Sequence, residues 1–165
     1  MHKPDMPSTT DKRDLYRHLA DQLESLLAGE PDPIANTANA AALIYNSLPD
    51  VNWAGFYFLK GEQLVLGPFQ GNPACTRIPL GKGVCGTAAA RRETIVVADV
   101  GKFPGHIACD TASSSEIVVP LIRNGELIGV LDLDSPAIAR FDEEDQKGLE
   151  RLAAIVLEAS KTAGI

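Results

Sequence analysis

Glu116-Ile117-Val118-Val119-Pro120-Leu121-Ile122-Arg123-Asn124-Gly125-Glu126-Leu127-Ile128-Gly129-Val130-Leu131-Asp132-Leu133-Asp134 is the stretch whose reading decides the fold. Asn124-Gly125 sits at its middle, and Asn-Gly tolerates the positive φ that a two-residue hairpin turn demands at both central positions. The flanks, Glu116 to Arg123 and Glu126 to Asp134, are rich in β-branched and aliphatic residues. They predict two long antiparallel strands.

Working outward, Trp53 to Leu59, Gln63 to Leu66, Thr76 to Leu80 and Thr94 to Ala98 are further β-like runs, separated by glycine turns of which Lys60-Gly61 is the first. A short helix, Val84 to Arg91, follows the turn Gly81-Lys82-Gly83. Near the N-terminus Leu15, Leu19, Leu23, Leu26 and Leu27 recur at helical spacing, with Asp11 and Asp14 at the positive end of the dipole and Gly29 as the stop. Asp32-Pro33 reads as an N-cap with proline in the first turn, opening a helix through Ile34, Ala38, Ala41, Leu43 and Tyr45 to Leu48. Asp142-Glu143-Glu144-Asp145 opens a last helix whose Leu149, Leu152, Val156 and Ala159 face inward. The order predicts an α+β fold: a central, mainly antiparallel sheet of about six strands covered by N- and C-terminal helices. Residues 1–10 read as a disordered leader and 11–165 as a single domain.

The chain carries a net charge of −7 and has no basic cluster, which argues against nucleic-acid binding, because that relies on Lys and Arg neutralising phosphates. Its apolar runs fall far short of the ~20 residues of a bilayer span, so no membrane segment is expected. The N-terminus lacks the apolar stretch of a signal peptide. The expected location is therefore the cytoplasm, where thiols stay reduced.

All three cysteines, Cys75, Cys85 and Cys109, fall between positions 75 and 109 beside glycine, proline or loop residues. Cys109 lies in a long connection, Asp99 to Asp110, near His106 and Asp110 and ahead of Ser113-Ser114-Ser115. A thiol in such a polar loop can ionise, and the thiolate is the nucleophile. A lone cysteine is more often a buried, inert one. A Cys3His zinc site is also open, although the gaps of ten and twenty-four residues do not match paired-ligand spacing. A thiol relay accounts for the trio more simply: one nucleophile, and one or two partners that close a disulfide on it. No metal and no cofactor are expected.

Asp132 and Asp134 alternate with Leu131 and Leu133, so both carboxylates share one face of a strand, ~6–7 Å apart. Solvated surface acids are the plain alternative. Glu116 would be a third acid at the same end of the hairpin, and mutual repulsion would hold a proton on at least one of the three, as a general acid requires. Ideal register about Asn124-Gly125, however, pairs Ile117 with Asp132 and turns Glu116 to the opposite face. Either Pro120 marks a bulge that resets parity, or Glu116 lies beyond the last ladder pair. Trp53, Tyr57 and Phe69 form an aromatic stripe, read first as core and as a ligand surface only if it faces the acids and Cys109.

Trp53-Ala54-Gly55-Phe56-Tyr57, Gly67-Pro68-Phe69-Gln70-Gly71, Ala74-Cys75-Thr76-Arg77-Ile78, Gly83-Val84-Cys85-Gly86-Thr87, Phe103-Pro104-Gly105-His106-Ile107-Ala108-Cys109-Asp110, Ser115-Glu116-Ile117 and Leu131-Asp132-Leu133-Asp134-Ser135 together resemble the free methionine-(R)-sulfoxide reductases, which are stand-alone GAF domains. The resemblance runs from the first helix to the last. It implies that free methionine-(R)-sulfoxide is reduced to methionine. The cysteine matching Cys109 would attack the sulfoxide sulfur and become a sulfenic acid. The one matching Cys75 would close a disulfide on it for thioredoxin to reduce, and the one matching Cys85 is a second candidate for that pairing. It also implies that the acids matching Glu116, Asp132 and Asp134 surround the sulfoxide oxygen or the ammonium, and that the residue matching Trp53 packs on the methyl group. Tyr57 joins the substrate surface, while backbone N–H groups and hydroxyls of Thr111 to Ser115, with Ser113, Ser114 and Ser115 named for binding, would hold the carboxylate. A homodimer is compatible with this reading. The competing class is a ligand-sensing GAF module without catalysis, for which the fold alone speaks.

Overall fold

The computed structural model describes residues 11–106 and 112–160. Four α-helices and six strands follow in the order α1 (Lys12–Leu27), α2 (Pro33–Ser47), β1 (Trp53–Lys60), β2 (Gln63–Gly71), β3 (Arg77–Pro79), α3 (Gly83–Arg91), β4 (Ile95–Val97), β5 (Ser115–Arg123), β6 (Glu126–Ser135) and α4 (Glu143–Ala159), with a 3-10 turn at Val100–Lys102. The strands form one sheet in the order β3-β2-β1-β6-β5-β4, every neighbouring pair antiparallel. The α+β expectation holds. The expected leader, residues 1–10, lies outside the described residues.

Local chemistry sets the helix ends. Asp11 caps α1 by accepting from the Arg13 N–H, and Asp32 caps α2 by accepting from the Ala35 N–H. Asp142 and Asp145 exchange hydrogen bonds with each other's backbone at the start of α4, a complete capping box. The second helix forms where expected, and packing sets which of its residues turn inward. Ile34 is half exposed and Ala38 is exposed; α2 buries Asn36, Thr37, Ala40, Ala41, Leu43 and Ile44 instead. With Pro33 starting the helix and Thr37 bonding back to the Pro33 carbonyl, the inward stripe is rotated from the one Ile34 would lead.

The sheet has two dissimilar faces. On one, Ala54, Phe56, Phe58, Ile117, Val119, Leu121, Leu131 and Leu133 meet α1, α2 and α4 in the larger core. On the other, Trp53, Tyr57, Val118 and Val130 meet α3 residues Val84, Cys85, Ala88 and Ala89. Period two along each strand separates these sets, so every second residue of β1, β5 and β6 points at α3.

Register resolves the parity problem. Asn124 and Gly125 both adopt positive φ, as the two-residue turn requires. Arg123 pairs with Glu126 and Ile122 with Leu127, but Leu121 pairs with Gly129, leaving Ile128 as the extra residue of a bulge in β6. From there on parity is reset: Glu116 pairs with Asp134 and Val118 with Asp132. The bulge therefore sits at Ile128 and not at Pro120, which keeps its place opposite Val130. Pro120 is tolerated because β4 begins with Ile95 opposite Val118 and pairs only towards Glu116, so no β4 residue stands beside Pro120 to need its N–H. A second irregularity lengthens β2 beyond the expected Leu66. Gly55 pairs with Phe69 and Tyr57 with Leu66, so Gly67-Pro68 bulges and the strand resumes to Gly71.

Candidate functional site

The bulge at Ile128 puts Glu116, Asp132 and Asp134 on the α3 side of the sheet, and β1 supplies the floor beside them. Trp53 pairs with Asp134 and Gly55 with Asp132. Any Cβ at Gly55 would collide with Phe69, so glycine here lets the aromatic stripe close up: Trp53 stacks on Phe69 at 5.2 Å between centroids and on Tyr57 at 5.9 Å. The polar tips of the stripe fasten the next loop. Trp53 Nε1 donates to the Asn72 carbonyl at 3.1 Å, and the Tyr57 hydroxyl donates to the Cys75 carbonyl at 3.1 Å. Cys75 is thereby held half-buried, next to Ala74, which lines the cavity at this end of the sheet.

That cavity encloses about 490 Å³, counting its open mouth, between the sheet, α3 and the loops carrying Ala74, His106 and Ser113. Trp53, Tyr57, Cys85, Glu116, Asp132 and Asp134 line it. The aromatic stripe thus faces the acids, while the other half of its condition, Cys109, lies outside the described residues.

Electrostatics here are unusual for a carboxylate cluster. Glu116 and Asp132 are only 7% and 6% exposed. Burial, and then the Asp134 charge, pushes the Glu116 carboxyl well above the usual carboxylate range. Burial and the Glu116 charge do the same to Asp132. The two share a hydrogen bond, so one proton is held between them. Asp132 Oδ1 is buried with no hydrogen-bond partner among the described residues. An orphaned buried carboxylate oxygen is costly, and a donor supplied by a ligand would relieve it.

The three thiols differ. Cys75 is disulfide-bonded, whereas Cys85 is free. Cys85 Sγ lies 3.9 Å from Glu116 Oε1, and burial followed by the Asp132 and Glu116 charges pushes its thiol far up. A thiol held protonated beside two acids is a poor nucleophile. Cys109, the expected attacking residue, lies outside the described residues.

Comparison with known proteins gives the family. The GAF domain family matches residues 36–159. The chain is 58% identical over 151 residues to Protein YtsP of Bacillus subtilis, covering 90% of this chain and 93% of the relative. It is 53% identical over 144 residues to the free methionine-R-sulfoxide reductase of Escherichia coli, covering 87% of each. The free methionine-R-sulfoxide reductase of Neisseria meningitidis, solved in complex with its substrate, is 49% identical and superposes with a TM-score of 0.92 over 99% of this chain and 100% of that one. The chain belongs to the free methionine-R-sulfoxide reductase family of GAF domains.

Within this reductase-family fold the serines named from the sequence divide. Ser113 lines the cavity, its hydroxyl accepting from Asn52 Nδ2 at 3.4 Å. Ser114 donates its N–H to the Ser135 carbonyl and offers its carbonyl to Val100, so its backbone is committed to the scaffold. Ser115 is fully buried, donating its hydroxyl to the Ala137 carbonyl and accepting from the Arg140 N–H. Its hydroxyl fixes the turn after β6 and does not line the cavity, a correction with a simple cause: Ser115 precedes Glu116, so period two sends it to the opposite face.

One polar lining residue was weighed in the sequence only as a neighbour of Cys109 and a candidate zinc ligand. His106 Nε2 lies 3.6 Å from Glu116 Oε2, and partial burial lowers the imidazole pKa. The signal was its place three residues before Cys109, in the most specific segment of the family pattern.

Proposed function

We propose that this chain is an oxidoreductase that reduces free L-methionine-(R)-sulfoxide to L-methionine, with residues 11–165 acting as one GAF unit. The observation that carries the reading is the cavity in which Glu116, Asp132 and Asp134 confront the Trp53–Tyr57 floor, in a chain so similar to a reductase solved with its substrate.

Each part of the substrate has a matching surface. The ammonium suits the acid cluster, and Asp132 Oδ1 in particular lacks the donor an ammonium would supply. The methyl group suits the face of Trp53, and Ser113 with its neighbouring backbone suits the carboxylate. In the reaction the Cys109 thiol attacks the sulfoxide sulfur, the oxygen passes to the cysteine as a sulfenic acid, and methionine leaves. Oxygen transfer of this kind needs a proton at the departing S–O bond, and the Glu116–Asp132 pair holds one in place. The Cys75 thiol then condenses with the sulfenic acid, releasing water and forming a disulfide. Thioredoxin, a dithiol, reduces that disulfide and is itself oxidised.

Cys75 rather than Cys85 is assigned the recycling role. Its half-buried place next to the cavity-lining Ala74 and its engagement in a disulfide support this, as does the deep burial of the free, protonated Cys85.

The deciding assay supplies separate (R) and (S) free sulfoxides with a thiol reductant and measures methionine. Formation from the (R) form alone is expected, with two thiols lost per chain when no reductant is present. Substrate binding without methionine release or thiol loss would make the protein a sensor and end the reductase reading.

A further inference from the structure

The same face of the sheet gathers a second set of donors that the reduction does not use together. Among the described residues, ligand atoms from Cys85, Glu116 and Asp132 all lie within 4.8 Å of one another, and all three residues are buried. They come from three elements, α3, β5 and β6, so the scaffold and not one flexible loop holds them. Cys85 Sγ is 3.9 Å from Glu116 Oε1, and His106 Nε2 approaches Glu116 Oε2 at 3.6 Å. Asp132 lines the cavity, and its Oδ1 is buried with no hydrogen-bond partner among the described residues.

We propose that Cys85, Glu116, Asp132 and His106 form a binding site for a single thiophilic divalent cation of the zinc class. One sulfur, one imidazole nitrogen and two carboxylate oxygens make up a tetrahedral set that zinc accepts and that hard cations such as magnesium or calcium do not favour. With Zn–S near 2.3 Å and Zn–O near 2.0 Å, the ligand atoms must stand roughly 3.3–3.6 Å apart. The 3.9 Å approach of Cys85 Sγ to Glu116 Oε1 is already close to such an edge, and the Cys85, Glu116 and Asp132 atoms stand within 4.8 Å of one another; His106, 3.6 Å from the other Glu116 oxygen, completes the set by turning its ring inward. The ion also answers the cost that the unliganded cluster carries. Three acidic groups crowded in a buried pocket repel, and a divalent charge offsets that repulsion while the Cys85 proton and the shared carboxyl proton leave to solvent. Cys85, too buried to act as a nucleophile, thereby gains a role as a ligand.

Binding would block the acid cluster against an amine-bearing substrate, making the ion a reversible inhibitor; only this consequence rests on the reductase reading. The site itself is tested without turnover. The full chain carrying Cys75→Ser and Cys109→Ser, kept reduced, retains Cys85 as its one thiol, and Co2+ is titrated as the probe. Saturation at one Co2+ per chain is expected, with a thiolate-to-cobalt charge-transfer band, the intense visible bands of four-coordinate cobalt, and displacement by Zn2+. Adding Cys85→Ser should abolish the charge-transfer band. Adding Asp132→Asn instead, which preserves shape and thiol, should weaken Co2+ binding at least tenfold while the band remains. Circular dichroism establishes that each variant is folded, and if the Cys85→Ser chain is not, the Asp132→Asn titration decides alone. No charge-transfer band in the Cys85-only chain, a band that survives Cys85→Ser, or an Asp132→Asn affinity within twofold of its parent would overturn the proposal.

Discussion

Cys109→Ser should abolish methionine formation, even in a single turnover, because neither remaining thiol can replace it: Cys85 is buried and held protonated, and Cys75 is assigned to recycling. Quantifying methionine after mixing enzyme with excess (R)-sulfoxide checks this. Cys75→Ser should instead release one equivalent of methionine per chain and then stall with thioredoxin, which a burst experiment reads directly. Multiple turnovers at the parent rate would reassign the recycling thiol. For the acids, Glu116→Gln removes both the proton and the charge while preserving size. The reductive rate should fall by ~10²–10⁴-fold, the usual loss on deleting a general acid. Sign follows from the raised pKa. The parent rate should decline as pH rises through the elevated titration of the Glu116–Asp132 pair, and Glu116→Gln should lose that limb. The same shift acts on stability in the opposite sense from a salt-bridged acid. Between the ordinary Glu range and the raised value the unfolded chain ionises and the folded chain does not, so the group destabilises increasingly as pH climbs. Glu116→Gln should therefore raise the melting temperature at neutral pH and leave it unchanged near pH 4, a comparison for calorimetry.

At the scale of elements, the hairpin β5–β6 and its neighbour β1 determine whether the site exists. Gly129 pairs with Phe58 across β1, and a Cβ there would run into the Tyr57 carbonyl. Gly129→Ala should thus force β6 away from the strand that carries Trp53 and Tyr57. Overpacking of this kind costs about 1–3 kcal/mol. In a chain of this length each kcal/mol lowers Tm by roughly 2–4 °C. Thermal unfolding measures the loss, and affinity for free methionine should weaken with it, because the floor and the acids sit on the two strands being separated.

Across the whole molecule, one buried carboxylate ties the helical layer together. Asp145 is fully buried. It accepts from the Tyr16 hydroxyl at 2.8 Å and from Arg140 Nη1 at 3.1 Å on both oxygens, and it pairs with Lys12. That joins α1, α4 and the connection from β6, whose Arg140 N–H also holds Ser115 at the start of β5. Asp145→Ala would strand the buried Arg140, while Lys12 keeps Asp142, a loss of about 3–5 kcal/mol by the measure of broken buried ion pairs. Denaturant unfolding should find the midpoint shifted with little change in slope.

The two-residue turn at Asn124-Gly125, the caps at Asp11, Asp32 and Asp142, the six strands and the cysteine-bearing segments were all readable from the amino-acid order, because each depends on a local preference or on a pattern within one segment. So was membership of the reductase family, and with it the expectation that Glu116, Asp132, Asp134 and Trp53 share one site. What stayed hidden was parity and depth. Whether Glu116 joins Asp132 and Asp134 turned on one extra residue, Ile128, that no local preference marks, since a bulge is selected by how both flanks pack against β1 and α3. The exposure of Ile34, the inward commitment of the Ser115 hydroxyl and the approach of His106 to Glu116 are likewise outcomes of what lies opposite each residue. Local sequence determines which elements form and which chemistry they carry. Only the packed sheet decides which face each side chain meets, because burial and the pKa shifts it causes depend on neighbours far away in the chain.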